Sequence, residues 1–216
     1  MAIWCVVPVK PLKRAKSRLA GVLSIEAREA LGRQMLMHTL AVLKQVPQVE
    51  RTLVVSRDTD ALRVARQLGA HTITESGAPE LNAALSRATS AARGFGAHGV
   101  LVLPTDLPFL TPDDVEALLA FGRSRETVVI APDAYEDGTN AMLVSPPGLI
   151  AYDYGPGSFG RHLAQARARS AAVHVVHLPN LMVDLDWPTD WWAYQARSLH
   201  RPLAVEGGEG WAVSDG

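Results

Sequence analysis

Apolar residues run along this chain in two alternating rhythms. Ile3–Val7, Thr52–Ser56, Val100–Pro104 and Thr127–Ala131 are short continuous runs rich in Val, Ile and Leu. Strands buried on both faces of a parallel sheet have this signature. Between them, Ile25–Val46, Thr59–Leu68 and Pro79–Phe95 carry apolar residues at helical spacing, with turn residues at their ends. The alternation predicts an α/β fold: a single-domain three-layer α/β/α sandwich with a mainly parallel sheet and right-handed crossovers. The final third departs from the rhythm. It predicts strands at Asn140–Ser145 and Ala172–Leu178 and helices at Ser158–Arg169 and Pro188–Leu199, with "YDYGPGSFG" and "LPNLMVDLDWP" as loops. No repeat or low-complexity linker interrupts the chain. Residues 1–200 therefore form one domain, and residues 201–216, rich in glycine, a loose tail.

Composition narrows the classes. No apolar run approaches the roughly 20 residues of a membrane span. The basic residues near the N-terminus follow a short apolar run, the reverse of a secretory signal. Cys5 is the only cysteine, so a disulfide and a cysteine-built zinc site are both excluded. Its place in the first strand predicts a small buried hydrophobe, and the expected location is the cytoplasm. A pI near 6.7 argues against nucleic acid as a partner. Positive charge is nevertheless concentrated in "PVKPLKRAKSRLAG", where Lys10, Lys13, Arg14, Lys16 and Arg18 follow the first strand.

Ligands of open α/β sheets bind beyond the carboxyl ends of the strands, where this basic loop falls. Its five cations are too closely spaced to face one way, so some are solvated. The remainder could clamp a polyanion through ammonium and guanidinium groups. The loop matches neither GxxxxGK[ST] nor GxGxxG. Asp106 follows another strand and is held between Pro104 and Pro108, where a carboxylate suits a hard cation. Asp113 and Asp114 follow Thr111 and Pro112 and read as helix-start residues. Asp184 and Asp186, two apart in extended backbone, point the same way. His174 and His177 are expected on opposite faces of a strand, and His162 on a helix surface. Neither a Ser–His–Asp nor a Cys–His arrangement is apparent, which disfavours covalent catalysis. Trp187, Trp191 and Trp192 read as core packing or as the contact of a homodimer.

Taken together, "PVKPLKRAKSRL", "LNAAL", "PTDLPFL", "DGTNAML", "GPGSFGRHL" and "VDLDWPTD" resemble the guanylyltransferases of deazaflavin coenzyme F-420 biosynthesis, from about Pro8 to Asp190. Members of that family act on 2-phospho-L-lactate, phosphoenolpyruvate or 3-phospho-D-glycerate. The resemblance implies a nucleotide-diphospho-sugar transferase (GT-A-like) fold, with GTP and a small phosphoacid as partners and Mg²⁺ as cofactor. It places Asp106, Asp184 and Asp186 on the metal, and Thr139, Gly155 and Ser158 on the phosphoacid. Lys10, Lys16, Ser17 and Arg18 fall on the triphosphate, with Lys16, Arg18 and Asp106 in catalytic positions. Asn82, in "LNAAL", falls near the guanine base, although Glu80 stands where the family usually has glycine. Phosphoenolpyruvate is the favoured acceptor. Rival readings are a cytidylyl- or sugar-phosphate nucleotidyltransferase of the same fold, a non-catalytic nucleotide-binding module, and an interaction protein.

Overall fold

The computed structural model describes residues 2–76, 80–122 and 126–198. The predicted tail lies outside them, as do Pro79 and Leu199 at the ends of two predicted helices. The elements run β1 (Ile3–Pro8), α1 (Ile25–Lys44), β2 (Val49–Ser56), α2 (Thr59–Gln67), β3 (His71–Thr74), α3 (Leu81–Gly94) and β4 (Gly99–Val102). They continue with α4 (Pro112–Ala120), β5 (Thr127–Pro132), β6 (Thr139–Ser145), α5 (Ser158–Ala168), β7 (Ala172–Val175) and α6 (Pro188–Ser198). Two short 3-10 turns, Leu12–Arg14 and Ser17–Leu19, shape the basic loop after β1.

The seven strands form one sheet in the order β3-β2-β1-β4-β6-β5-β7. All neighbours pair in parallel except β6, which is antiparallel to both β4 and β5. Side chains alternate across the sheet as the two-residue period requires. Cys5, Leu101 and Leu143 enter a core shared with Leu36, Leu62 and Leu118 of α1, α2 and α4. Val6, Val102 and Met142 enter the opposite core, with Leu85 of α3 and Phe159 of α5. The sandwich is thus three-layered, as predicted. A satellite cluster packs α6 through Tyr194 onto Leu19, Leu31 and Met35. Cys5 is fully buried, and burial raises its thiol pKa far above the ordinary value. No helix of the described residues is long and apolar enough to cross a membrane.

Helix starts follow the local chemistry. Ser24 caps α1 through Ala27 N–H, and Asp58 caps α2 through Asp60 and Ala61 N–H. Thr111 and Asp114 form the reciprocal capping box of α4, with Pro112 at its first turn. Helix α5 starts at Ser158, as predicted, but without a side-chain cap. Gly157, at φ 72°, takes the cap position.

Candidate active site

Because β6 runs against its neighbours, its first residue lies at the edge where β1, β4 and β5 end. That edge carries the basic loop, the Thr105–Leu110 turn, the 133–138 turn and Thr139. The basic loop is pinned by residues that sequence reasoning missed. Asp58 Oδ2 accepts Leu12 N–H at 2.7 Å, and Ser56 Oγ donates to Val9 O at 2.8 Å. Lys10, Lys13 and Arg14 remain exposed. Lys16 instead turns inward from a left-handed backbone conformation, φ 53° and ψ 37°. Such a conformation costs a non-glycine residue roughly 1 kcal/mol or more. Its ammonium lies 3.4 Å from Asp186 Oδ1 and 3.9 Å from Asp106 Oδ2, and its side chain is only 9% exposed. Arg18 Nη1 reaches Asp186 Oδ2 at 2.7 Å and stacks its guanidinium 4.7 Å above Trp187.

Asp106, far in sequence from Asp184 and Asp186, meets them half-buried, with one oxygen of each carboxylate within 4.8 Å of the others. The loop carrying the last two is fastened by Leu185 N–H on Asp106 O at 2.9 Å. Asn140 Nδ2 also holds Leu181 O at 2.7 Å. Burial, with Asp106 and Asp186 close by, pushes Asp184 up to about 6. Three crowded hard oxygens, one of them reluctant to ionise alone, fit a divalent cation of the magnesium or manganese type. Asp113, by contrast, stays exposed on α4. Asp114 serves its cap and additionally accepts Asn180 Nδ2 at 3.0 Å.

Beside the triad opens a cavity of about 410 Å³ lined by Lys10, Lys16, Asp106, Asp186 and the β1 and β4 ends. Glu80 also lines it, but its carboxylate caps α3 through Asn82 and Ala83 N–H. The Asn82 side chain is tied to the backbone of Tyr154, accepting its N–H at 2.8 Å. Asn82 thereby braces the glycine-rich loop, while Ser17 sits exposed in the second 3-10 turn.

Thr139 and Ser158 come together at the start of β6 and α5, buried, with their hydroxyl oxygens 3.4 Å apart. Gly155, at φ 131°, accepts Ser158 N–H, while Asp137 takes Gly157 N–H on its carboxylate and Phe159 N–H on its carbonyl. His162 overturns its expectation of a helix-surface place. It is completely buried, because the first turn of α5 faces the sheet edge. Asp153 N–H donates to its Nε2 and Thr139 Oγ1 lies 3.0 Å from its Nδ1. Burial lowers its pKa to about 4, so the ring is neutral at pH 7 with its proton on Nδ1. Thr139 then accepts from both His162 and Ser158, and its own hydroxyl proton is left for another acceptor. His174 and His177 go elsewhere: one stacks on Phe121 and the other pairs with Glu136. No sequence signal short of the fold linked His162 to Thr139. Their separation of 23 residues has no motif. The three tryptophans at 187–192 divide similarly: Trp191 packs against the satellite cluster, whereas Trp187 and Trp192 are more than half exposed.

Residues 3–193 match the family described as guanylyl transferase CofC like. The chain belongs to this family. Among curated relatives, it is 44% identical to a phosphoenolpyruvate guanylyltransferase of Rubrobacter xylanophilus, over 88% of this chain and 92% of that one. It is 36% identical to a 2-phospho-L-lactate guanylyltransferase of Methanothermobacter thermautotrophicus, over 88% and 82%. The fold resembles a Desulfovibrio desulfuricans G20 chain assigned to the nucleotide-diphospho-sugar transferases, with a TM-score of 0.71, 16% identity and 95% and 90% coverage. The predicted family, fold and class of transferase are thereby established for this CofC-like chain.

Proposed function

We propose that this CofC-like guanylyl transferase moves the GMP unit of GTP onto the phosphate of phosphoenolpyruvate. A phosphate oxygen of the acceptor attacks the α-phosphorus, a new P–O–P bond forms, the α–β bridge bond breaks and pyrophosphate leaves with its electron pair. The meeting of Lys16 and Arg18 with the Asp106–Asp184–Asp186 triad at one cleft carries this reading. Two polyanions must be brought together there. Asp106, Asp184 and Asp186 would hold Mg²⁺, which when bound supplies charge neutralisation and in-line orientation. Lys16, steered inward by its backbone, neutralises the triphosphate and then the departing pyrophosphate, assisted by Arg18. Lys10 and Ser17 extend that cradle, and Asn82 places the loop below the base. A protein nucleophile is unnecessary because the acceptor phosphate is already ionised.

The acceptor is assigned to the corner of Thr139, Gly155 and Ser158. Neutral His162 leaves the Thr139 hydroxyl as a donor, and Ser158 stands beside it. Both hydroxyls are buried, so the 153–157 loop shifts to admit the acid. The acceptor choice is supported by the relatives that bear phosphoenolpyruvate in their names. The test is a screen of the purified protein with the four nucleoside triphosphates against phosphoenolpyruvate, 2-phospho-L-lactate and 3-phospho-D-glycerate, with pyrophosphate release as readout. Release confined to GTP with phosphoenolpyruvate in the presence of Mg²⁺ is expected. Preference for CTP, UTP or a sugar phosphate would overturn it.

A further inference from the structure

Away from the carboxylate triad, between α3 and α5, lies a second cavity of about 460 Å³. Ser86, Ser90 and Arg93 come from α3, Gln165 from α5 and Arg169 from the C-cap just after it, and the strap Pro147–Tyr152 closes one wall. No Asp or Glu lines it. The guanidiniums of Arg93 and Arg169, both on exposed residues, have no hydrogen-bond or ion-pair partner among the described residues. Gln165 Oε1 already accepts Ala151 N–H at 3.0 Å, so its amide NH₂ remains as a donor. Gly148, at φ 87°, leaves room beside Arg93: a side chain there would begin 3.9 Å from Arg93 Nη1. The Tyr152 hydroxyl is satisfied by Thr89 at 2.6 Å, and with Pro147, Leu149 and Ile150 it makes the remaining wall largely apolar.

We propose that this cavity is a second ligand site, for a small organic anion. The two guanidiniums take its phosphate or carboxylate, and its carbon body lies on the Pro147–Ile150 wall. Two unpaired arginines with further donors and no competing carboxylate select for an anion. The apolar wall adds affinity that an inorganic anion cannot use. The position also gives the site leverage. The strap continues directly into Asp153 and Tyr154, whose backbone N–H groups bond His162 and Asn82. His162 in turn holds Thr139. An occupant that stiffens the strap therefore stiffens the corner at Thr139 and Ser158.

The test uses the full chain, isotopically labelled, titrated at constant ionic strength with phenyl phosphate, benzoate, inorganic phosphate and neutral benzyl alcohol. Saturable amide shifts over Gly148–Tyr152 are expected with phenyl phosphate or benzoate, and which of the two binds tighter identifies the anionic group. Inorganic phosphate should bind the site at least tenfold more weakly, and benzyl alcohol should not bind it. The double variant Arg93→Ala/Arg169→Ala should lose these shifts while keeping the wild-type spectrum elsewhere. Lys16→Ala should retain them, which separates this site from the triphosphate cleft. At saturation, amide exchange at Asp153 and Tyr154 should slow at least fivefold. Binding unchanged in the double variant, or shifts confined to residues 10–18 and 104–106, would overturn the site. Unaltered exchange at Asp153 and Tyr154 would overturn its leverage.

Discussion

Asp186 is shared between Lys16 Nζ at 3.4 Å and Arg18 Nη1 at 2.7 Å, so a metal ion at the triad must compete with both cations. Substitution of Arg18 therefore has opposite expected effects on two ligands. Arg18→Ala removes a rival from Asp186 and should tighten Mn²⁺ binding to the free protein by about two- to fivefold, the range for an exposed ion pair. The same change should weaken GTP binding by roughly tenfold or more, the cost of one charged contact. Mn²⁺ titration followed by electron paramagnetic resonance, beside calorimetry with GTP, reads both, and parallel movement of the two affinities would refute the competition. Asp106 and Asp113 offer a second contrast, because one carboxylate faces the triad and the other only solvent. Asp106→Asn should lower turnover at least ~100-fold, as expected on losing a stabiliser of transferred charge. Asp113→Asn should be nearly silent, and equal losses would erase the distinction.

At the scale of elements, the loop from 178 to 187 has no regular structure of its own and is held by its neighbours. Asn140 of β6 fixes Leu181 O, the backbone of Asp106 fixes Leu185, and Asp114 of α4 fixes Asn180. Asn140→Ala cuts the first of these without touching the carboxylates. Mn²⁺ affinity should fall roughly tenfold, the usual effect of removing a partner that orients metal ligands. An unchanged affinity, with the fold intact by circular dichroism, would show that the loop holds itself. Asn140 was read from sequence only as a strand residue, since burial of its amide depends on a loop 41 residues away. The same holds for direction. Residues 140–145 read as a strand from their pattern, but a two-residue period carries no sign, so the reversal of β6 was invisible. Strand β3 escaped because its four residues include a single large aliphatic, Ile73, and they sit at the sheet edge.

Across the whole molecule, what was legible and what was not divide by sequence distance. Runs of buried β1, β2, β4 and β5 and the spacing of α1 to α3 announced the sandwich, because each encodes its own two-sided or one-sided burial. Asp106, Asp184 and Asp186 were legible through short motifs, and the fold supplied their convergence. The Asn82–Tyr154 and Thr139–His162 pairs were not legible, since each joins residues with no local pattern between them. His162 and Asp184 also oppose each other in the pH dependence of global stability. The folded pKa of His162 is lowered from 6.5 to about 4. Between those values the unfolded chain binds more protons, so this group's stability is complete above 6.5 and is lost as pH falls toward 4. The folded pKa of Asp184 is raised from 3.8 to about 6. Here the folded protein binds more protons, so the contribution is present below 3.8 and lost as pH rises through 6. In the metal-free protein the two largely cancel between pH 4 and 6, and each variant should unmask the other. Relative to wild type, Asp184→Asn should make stability rise more steeply with pH over this window, and His162→Gln should make it rise less steeply or fall. Each change in slope should approach at most about 1.4 kcal/mol per pH unit. Urea unfolding of the metal-free proteins at half-unit steps from pH 4.5 to 6.5 measures both, and slopes displaced in the same direction would contradict the two assignments.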